Sequence, residues 1–176
     1  MIIISPFEGI DDSVIKTAEQ AIVEVLKSTP IVYDKKLKIP KEAYDAERNQ
    51  YNVYYFLESM GKILKNKKDK IIGIVDVDLY TPGLNFIFGA ANRIGGNLCI
   101  ISITRLKEEF YGKISNDSIF KERVKKEVIH ELGHLFGLTH CEDPHCVMHF
   151  SNSLLDTDVK SYNFCKKCLK KLEAKN

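Results

Sequence analysis

All five histidines of the chain fall between His130 and His149. His130-Glu131-Leu132-Gly133-His134 places two imidazoles four residues apart, with a carboxylate beside the first. On an α-helix such positions share one face, so both rings can reach one ion. The pattern continues through Gly137 to His140 as H-E-x-x-H-x-x-G-x-x-H, in which the glycine turns the chain out of the helix and brings His140 up as a third ligand. Three protein ligands leave a tetrahedral zinc ion one open position, which marks a catalytic rather than a structural site. Glu131 then stands where a general base is needed. Zinc brings the pKa of its water toward ~7, and the carboxylate takes the proton during attack on a carbonyl and passes it to the leaving group. The mechanism alone does not separate peptide hydrolysis from another zinc hydrolysis such as deacetylation.

Four of the five cysteines lie just downstream: Cys141, Cys146 and Cys165-Lys166-Lys167-Cys168. Four thiolates in two pairs fill a tetrahedral zinc and leave no open position, so this second site is expected to be structural. A redox C-x-x-C or two disulfides are the competing readings, and an intracellular chain disfavours disulfides. Lys166, Lys167, Lys170 and Lys171 would suit a nucleic-acid-binding zinc ribbon, but a solvated helix face, drawn to a doubly negative zinc–thiolate centre, accounts for them better. Cys99, alone on an apolar run, reads as a small buried residue, and His145 and His149 as surface residues or neighbours of the ligands. Tyr111 and Tyr162 are candidates to assist an oxyanion, with nothing in the sequence to place them.

These residues need elements to hold them. Met1–Ile4 reads as a buried strand, followed by a helix capped at Asp12 or Ser13 that runs through Leu26. Ile31–Leu37 reads as a strand, 41–50 as an irregular loop and Tyr51–Leu64 as a helix. Ile71–Asp78 is a strongly apolar strand, Thr81-Pro82-Gly83 a turn, and Phe86–Phe88 and Asn97–Thr104 further strands. Asn116, Asp117 and Ser118 offer caps for a long amphipathic helix that carries the histidine motif and ends near Gly137. A last helix starts near Asn163. The alternation predicts an α/β (α+β) fold, a mixed sheet with packed helices. Residues 1–137 would form the main part with the active-site helix, and 138–176 a small zinc-stabilised C-terminal subdomain.

The bulk figures agree. The chain has 176 residues, 44% hydrophobic and 28% charged, enough for one core and a soluble surface. A net charge of +2 gives little pull toward nucleic acid or an anionic membrane. Met1-Ile-Ile-Ile-Ser-Pro6 has no basic n-region or long apolar h-region, and no stretch approaches the ~18 apolar residues of a membrane span. The expectation is a cytoplasmic monomer with no nucleic-acid or membrane partner.

The combined pattern from His130 through His140, Cys141, Cys146-Val-Met148 and Cys165-Lys-Lys-Cys168 closely resembles the archaemetzincins, zinc metalloproteases of the metzincin clan. The resemblance implies a peptide or protein substrate and two zinc ions per chain. One is catalytic on His130, His134 and His140, with Glu131 as base. The other is structural on Cys141, Cys146, Cys165 and Cys168. It also implies that Met148, otherwise a buried filler, forms an apolar floor under the histidines, and that an edge strand above the helix pairs with extended substrate, a task expected of Asn97–Thr104. The alternative is a zinc-binding module whose active site is vestigial or metal-free.

Overall fold

Runs of isoleucine and valine set the frame of the molecule. The computed structural model describes residues 1–174. Strand β1 (Ile2–Pro6) leads to helix α1 (Asp12–Leu26) and the short β2 (Ile31–Val32). Next come β3 (Tyr44–Asp45), β4 (Gln50–Asn52), α2 (Val53–Gly61), β5 (Lys70–Val75), β6 (Leu79–Tyr80), β7 (Gly89–Ala91) and β8 (Leu98–Ser102). The chain closes with α3 (Asp117–Leu135), α4 (Leu154–Val159) and α5 (Lys166–Glu173). The main sheet has the order β2-β1-β5-β8-β7. Its first four strands are parallel, and β7 is antiparallel to β8. A second, small sheet joins β3, β4 and β6.

The alternation of side chains along the central strands defines two cores. Ile2, Ile4, Ile72, Ile74, Cys99 and Ile101 face α1 and α3, and Ile71, Leu98 and Ile100 face α2. The sheet is therefore covered on both sides, as a parallel sheet must be. Gly73 lies on the α2 side because a Cβ there would stand 2.7 Å from Met60 Sδ.

Helix α3 is laid down by local chemistry at both ends. The Asn116 side chain accepts from the Ile119 amide, and Asp117 pairs with Lys121 one turn on. Gly137 takes φ +85°. The Gly137 amide bonds His134 O and the Leu138 amide bonds Gly133 O, the paired bonds of a Schellman stop. The helix is not amphipathic as expected. From Arg123 onward nearly every residue is buried, Glu127, His130 and Glu131 included. The segment after His140 covers its second face: Cys146, Val147, Met148, Phe164 and Cys168 share one core with Val128, Ile129 and Leu132. It brings its own polar partners, as in the bidentate pair of Arg123 with Asp158 at 2.7 and 2.8 Å.

Other boundaries also differ. The strand expected over 31–37 keeps only two residues, with an isolated bridge from Leu37 to Phe7. The loop over 41–50 contains a 3-10 turn and the start of the small sheet. The strand expected at 86–88 is displaced to 89–91, with Ile87 bridging Leu79. Among the described residues no helix is long and apolar enough to cross a membrane.

Phe56 is wholly buried on the side of the sheet away from α3, edge-on to Phe7 at 5.2 Å. Phe56→Ala is expected to lower unfolding free energy by about 3–5 kcal/mol in denaturant titration, while leaving metal binding at the histidines unchanged in the folded protein.

Candidate active site

The histidines and Glu131 sit on the last two turns of α3 and just beyond it, facing β7 across a cleft of about 560 Å³. His130 and His134 leave α3 on one face, as the four-residue spacing requires, and the Gly137 turn returns His140 to them. The ring centroids of His140 lie 5.4 Å from those of His130 and 4.9 Å from those of His134. The three nearest ligand atoms lie within 4.8 Å of one another.

Hydrogen bonds aim the two helical rings. His130 donates from Nδ1 to Val147 O at 2.7 Å, and His134 from Nδ1 to Leu138 O at 2.9 Å. With the proton on Nδ1, each Nε2 keeps its lone pair directed inward. The two Nε2 atoms are 3.1 Å apart. Burial holds all three histidines below their usual pKa, His130 farthest, so the rings are neutral. Two facing lone pairs at that distance repel unless a cation lies between them. The donor set thus fits a zinc ion.

Glu131 is buried, and its Oε2 has no hydrogen-bond partner among the described residues. Burial, reinforced by the nearby Glu127 carboxylate, holds its carboxyl well above the usual range. Space for it comes from Gly89 on β7. A Cβ there would stand 2.8 Å from Glu131 Cγ and Oε1 and 2.8 Å from Ile100 O. Below the helix, a Cβ on Gly133 would run into Met148 Sδ, so the glycine inside the motif admits the methionine beneath the histidines.

The upper lip of the cleft is clamped from outside. Arg48 donates to Leu84 O and Asn85 O at 2.8 and 3.0 Å, and Gln50 donates to Asn85 O at 2.9 Å. Arg105 pairs with Asp78 and lies 4.2 Å from the Phe86 ring centre. At the other end of the lip, Gly95 N–H donates to His134 O at 2.8 Å. Lip and helix are thereby joined directly.

The four expected cysteines also gather, with ligand sulfurs within 4.8 Å of one another and no disulfide. Cys141 and Cys165 Sγ are 3.8 Å apart, and the Cys165 amide donates to Cys146 Sγ at 3.3 Å. Burial pushes the Cys146 and Cys168 thiols up. Thiolates would therefore need a compensating positive charge, which a tetrahedral metal supplies. The two clusters share backbone, because Cys141 follows His140 and its amide bonds Met148 O at 2.9 Å.

The profile of peptidase family M54 matches residues 1–174. This chain belongs to that family, the archaemetzincins. It is 41% identical to the archaemetzincin of Methanocaldococcus jannaschii over 172 residues, which covers 98% of this chain and 92% of that one. It is 52% identical to that of Pyrococcus horikoshii over 132 residues, 74% and 70% of the two chains. Crystal structures agree. The archaemetzincin of Methanopyrus kandleri superposes with a TM-score of 0.85 at 38% identity, covering 99% and 93% of the two chains. A zinc-dependent peptidase from Methanocorpusculum labreanum gives 0.86 at 31%, covering 98% and 100%. Family membership makes this chain a metallopeptidase, with peptides or proteins as its substrates, and it bears out the mixed α/β fold.

Several expected participants lie elsewhere. β8 is not an edge strand. It lies between β5 and β7, buried at every residue, and β7 is the terminal strand facing Glu131. Tyr111 donates to Arg105 O, and the Tyr162 ring lies beside Lys125, so neither lines the cleft. His149 donates to Cys141 O at 2.9 Å. Residues not singled out in the sequence line the cleft as well: Gly89, Glu127, Phe150 and Lys160. The small run Gly89-Ala90-Ala91 was a readable sign of close approach, and Glu127 sits one turn before Glu131.

Gly89→Ala is expected to displace the Glu131 carboxylate or push β7 outward. Peptide turnover should fall at least about tenfold, with zinc content unchanged by metal analysis.

Proposed function

We propose that the chain hydrolyses peptide bonds at a zinc held by His130, His134 and His140, with Glu131 as general base. The observation that carries this reading is a single convergence: three imidazoles with ligand nitrogens within 4.8 Å of one another, two of them with lone pairs turned inward, beside a buried carboxylate oxygen that lacks a partner among the described residues. A second zinc on Cys141, Cys146, Cys165 and Cys168 has a structural role.

Zinc at the histidines supplies Lewis-acid polarisation of the scissile carbonyl and acidifies a water toward a pKa of about 7. The protein supplies the rest. Glu131 accepts the proton of the attacking water at its orphaned oxygen. It then delivers that proton to the leaving nitrogen. The substrate is held extended along β7. Ser102 N–H bonds Phe88 O and Asn92 N–H bonds Leu98 O, so by the antiparallel alternation the main-chain groups of Gly89 and Ala91 face away from β8. They offer a peptide two bonding positions directly above Glu131. The clamps on the 84–86 segment keep that lip in place before substrate arrives.

Glu131→Gln is expected to retain two zinc ions per chain while kcat drops by about 10²–10⁴-fold. Unchanged turnover would remove Glu131 from the role of base. Metal analysis of the wild type, with one zinc where two are expected, would instead favour a vestigial histidine site.

A further inference from the structure

The cleft is also lined by a charge pair, Glu127 and Lys160, that holds no ligand and transfers no proton in the proposed hydrolysis. The Lys160 ammonium lies 3.0 Å from Glu127 Oε1, and the two side chains are 0% and 3% exposed. Lys160 also reaches His149 O at 3.5 Å, and the Thr157 hydroxyl lies 3.4 Å from Glu127 Oε1. Ser151 and Asn152 line the same cleft, and the Ser151 hydroxyl is buried without a hydrogen-bond partner among the described residues. Stability alone is a poor reason to keep such a pair. Apolar residues of similar volume usually serve a core as well or better. Its place on the wall of a substrate cleft is a better one.

We propose that the Glu127–Lys160 pair is a charge filter for the substrate side chain that approaches it in the cleft, favouring an uncharged hydrogen-bonding residue and rejecting both signs of charge. The proposal rests on the cleft being the peptide-binding site. While the two charges stay together, their field is that of a dipole and falls off faster than that of either charge alone. An incoming carboxylate gains from Lys160 only what it loses to Glu127, in surroundings too dry to screen the repulsion. An incoming ammonium or guanidinium meets the converse. Either also sheds its own hydration on entry, which is costly without a partner. A hydroxyl or carboxamide escapes both penalties and can satisfy the orphaned Ser151 hydroxyl.

The test compares kcat/KM over a peptide library varied at the positions flanking the scissile bond. In the wild type, Ser, Thr, Asn and Gln should outrank Asp, Glu, Lys and Arg at one of those positions. Lys160→Met leaves Glu127 alone and should move that position toward Lys and Arg. Glu127→Gln leaves Lys160 alone and should move it toward Asp and Glu. Each shift in the acidic-to-basic ratio should be about tenfold or more, in opposite directions. Two substitutions that break the same pair would not change specificity in opposite senses if the pair served packing alone. Should either single variant fail to fold, Glu127→Lys/Lys160→Glu restores a pair with its charges exchanged. It should keep the uncharged preference, and a charged preference in it would overturn the proposal. Cleavage that ignores charge in the wild type, or parallel losses on every peptide in folded single variants, would also overturn it while leaving peptidase activity intact. If no library peptide is cleaved by the wild type and none binds Glu131→Gln in calorimetric titration, the peptide-binding reading itself fails.

Discussion

The hydrogen bond from His130 Nδ1–H to the Val147 carbonyl constrains much of the structure around it. It fixes the tautomer, and therefore which nitrogen faces the ion site. It also requires the chain, after leaving α3, to come back beneath the same helix. That return places Met148 against Gly133, brings Cys141 and Cys146 toward Cys165 and Cys168, and buries the second face of α3. The matching bond from His134 to Leu138 O is met by the turn itself, because the Gly137 Schellman geometry presents that carbonyl one step after the helix ends. One ligand is oriented by local backbone and the other by a distant segment, so a properly aimed pair reports that both local and long-range folding are complete.

The same arrangement explains why so many charged groups are tolerated in the interior. Arg123, Lys126, Glu127 and Lys160 would be expensive to bury singly. They are buried because α4 and its flanks dock onto α3 with their partners in place, Asp158 on Arg123 and Lys160 on Glu127. The segment 154–160 is thus held by ion pairs and by Leu154, which packs against the core that α3 shares with the segment after His140.

Much of this was legible in the sequence, for specific reasons. The H-E-x-x-H spacing matches the helical repeat, so sharing of a face followed directly. Asn116 and Gly137 mark the ends of α3 by capping chemistry that needs no tertiary context. The apolar β1, β5 and β8 runs gave the central strands. The edge strand expected at Asn97–Thr104 is internal in the structure, and its sequence carries the sign: Leu98-Cys-Ile-Ile runs apolar without alternation, as befits a strand covered on both faces rather than an edge. β7, with three small residues, lacks any propensity signal of its own and forms because β8 templates it. α4 is only six residues long and draws its stability from docking. The Glu127–Lys160 pair joins positions 33 apart in a polar stretch, which no periodicity can reveal.

β7 is only three residues long, and by the antiparallel alternation just Gly89 and Ala91 within it turn their main chain away from β8. A ladder so short grips a guest by very few rungs. If substrate pairs with it as proposed, such a ladder would favour polypeptide that is already extended over a folded protein whose strands are already partnered. Backbone grip of that kind treats all sequences alike. On the proposed binding mode, choice among sequences would therefore fall to the side-chain pockets of the cleft rather than to the strand.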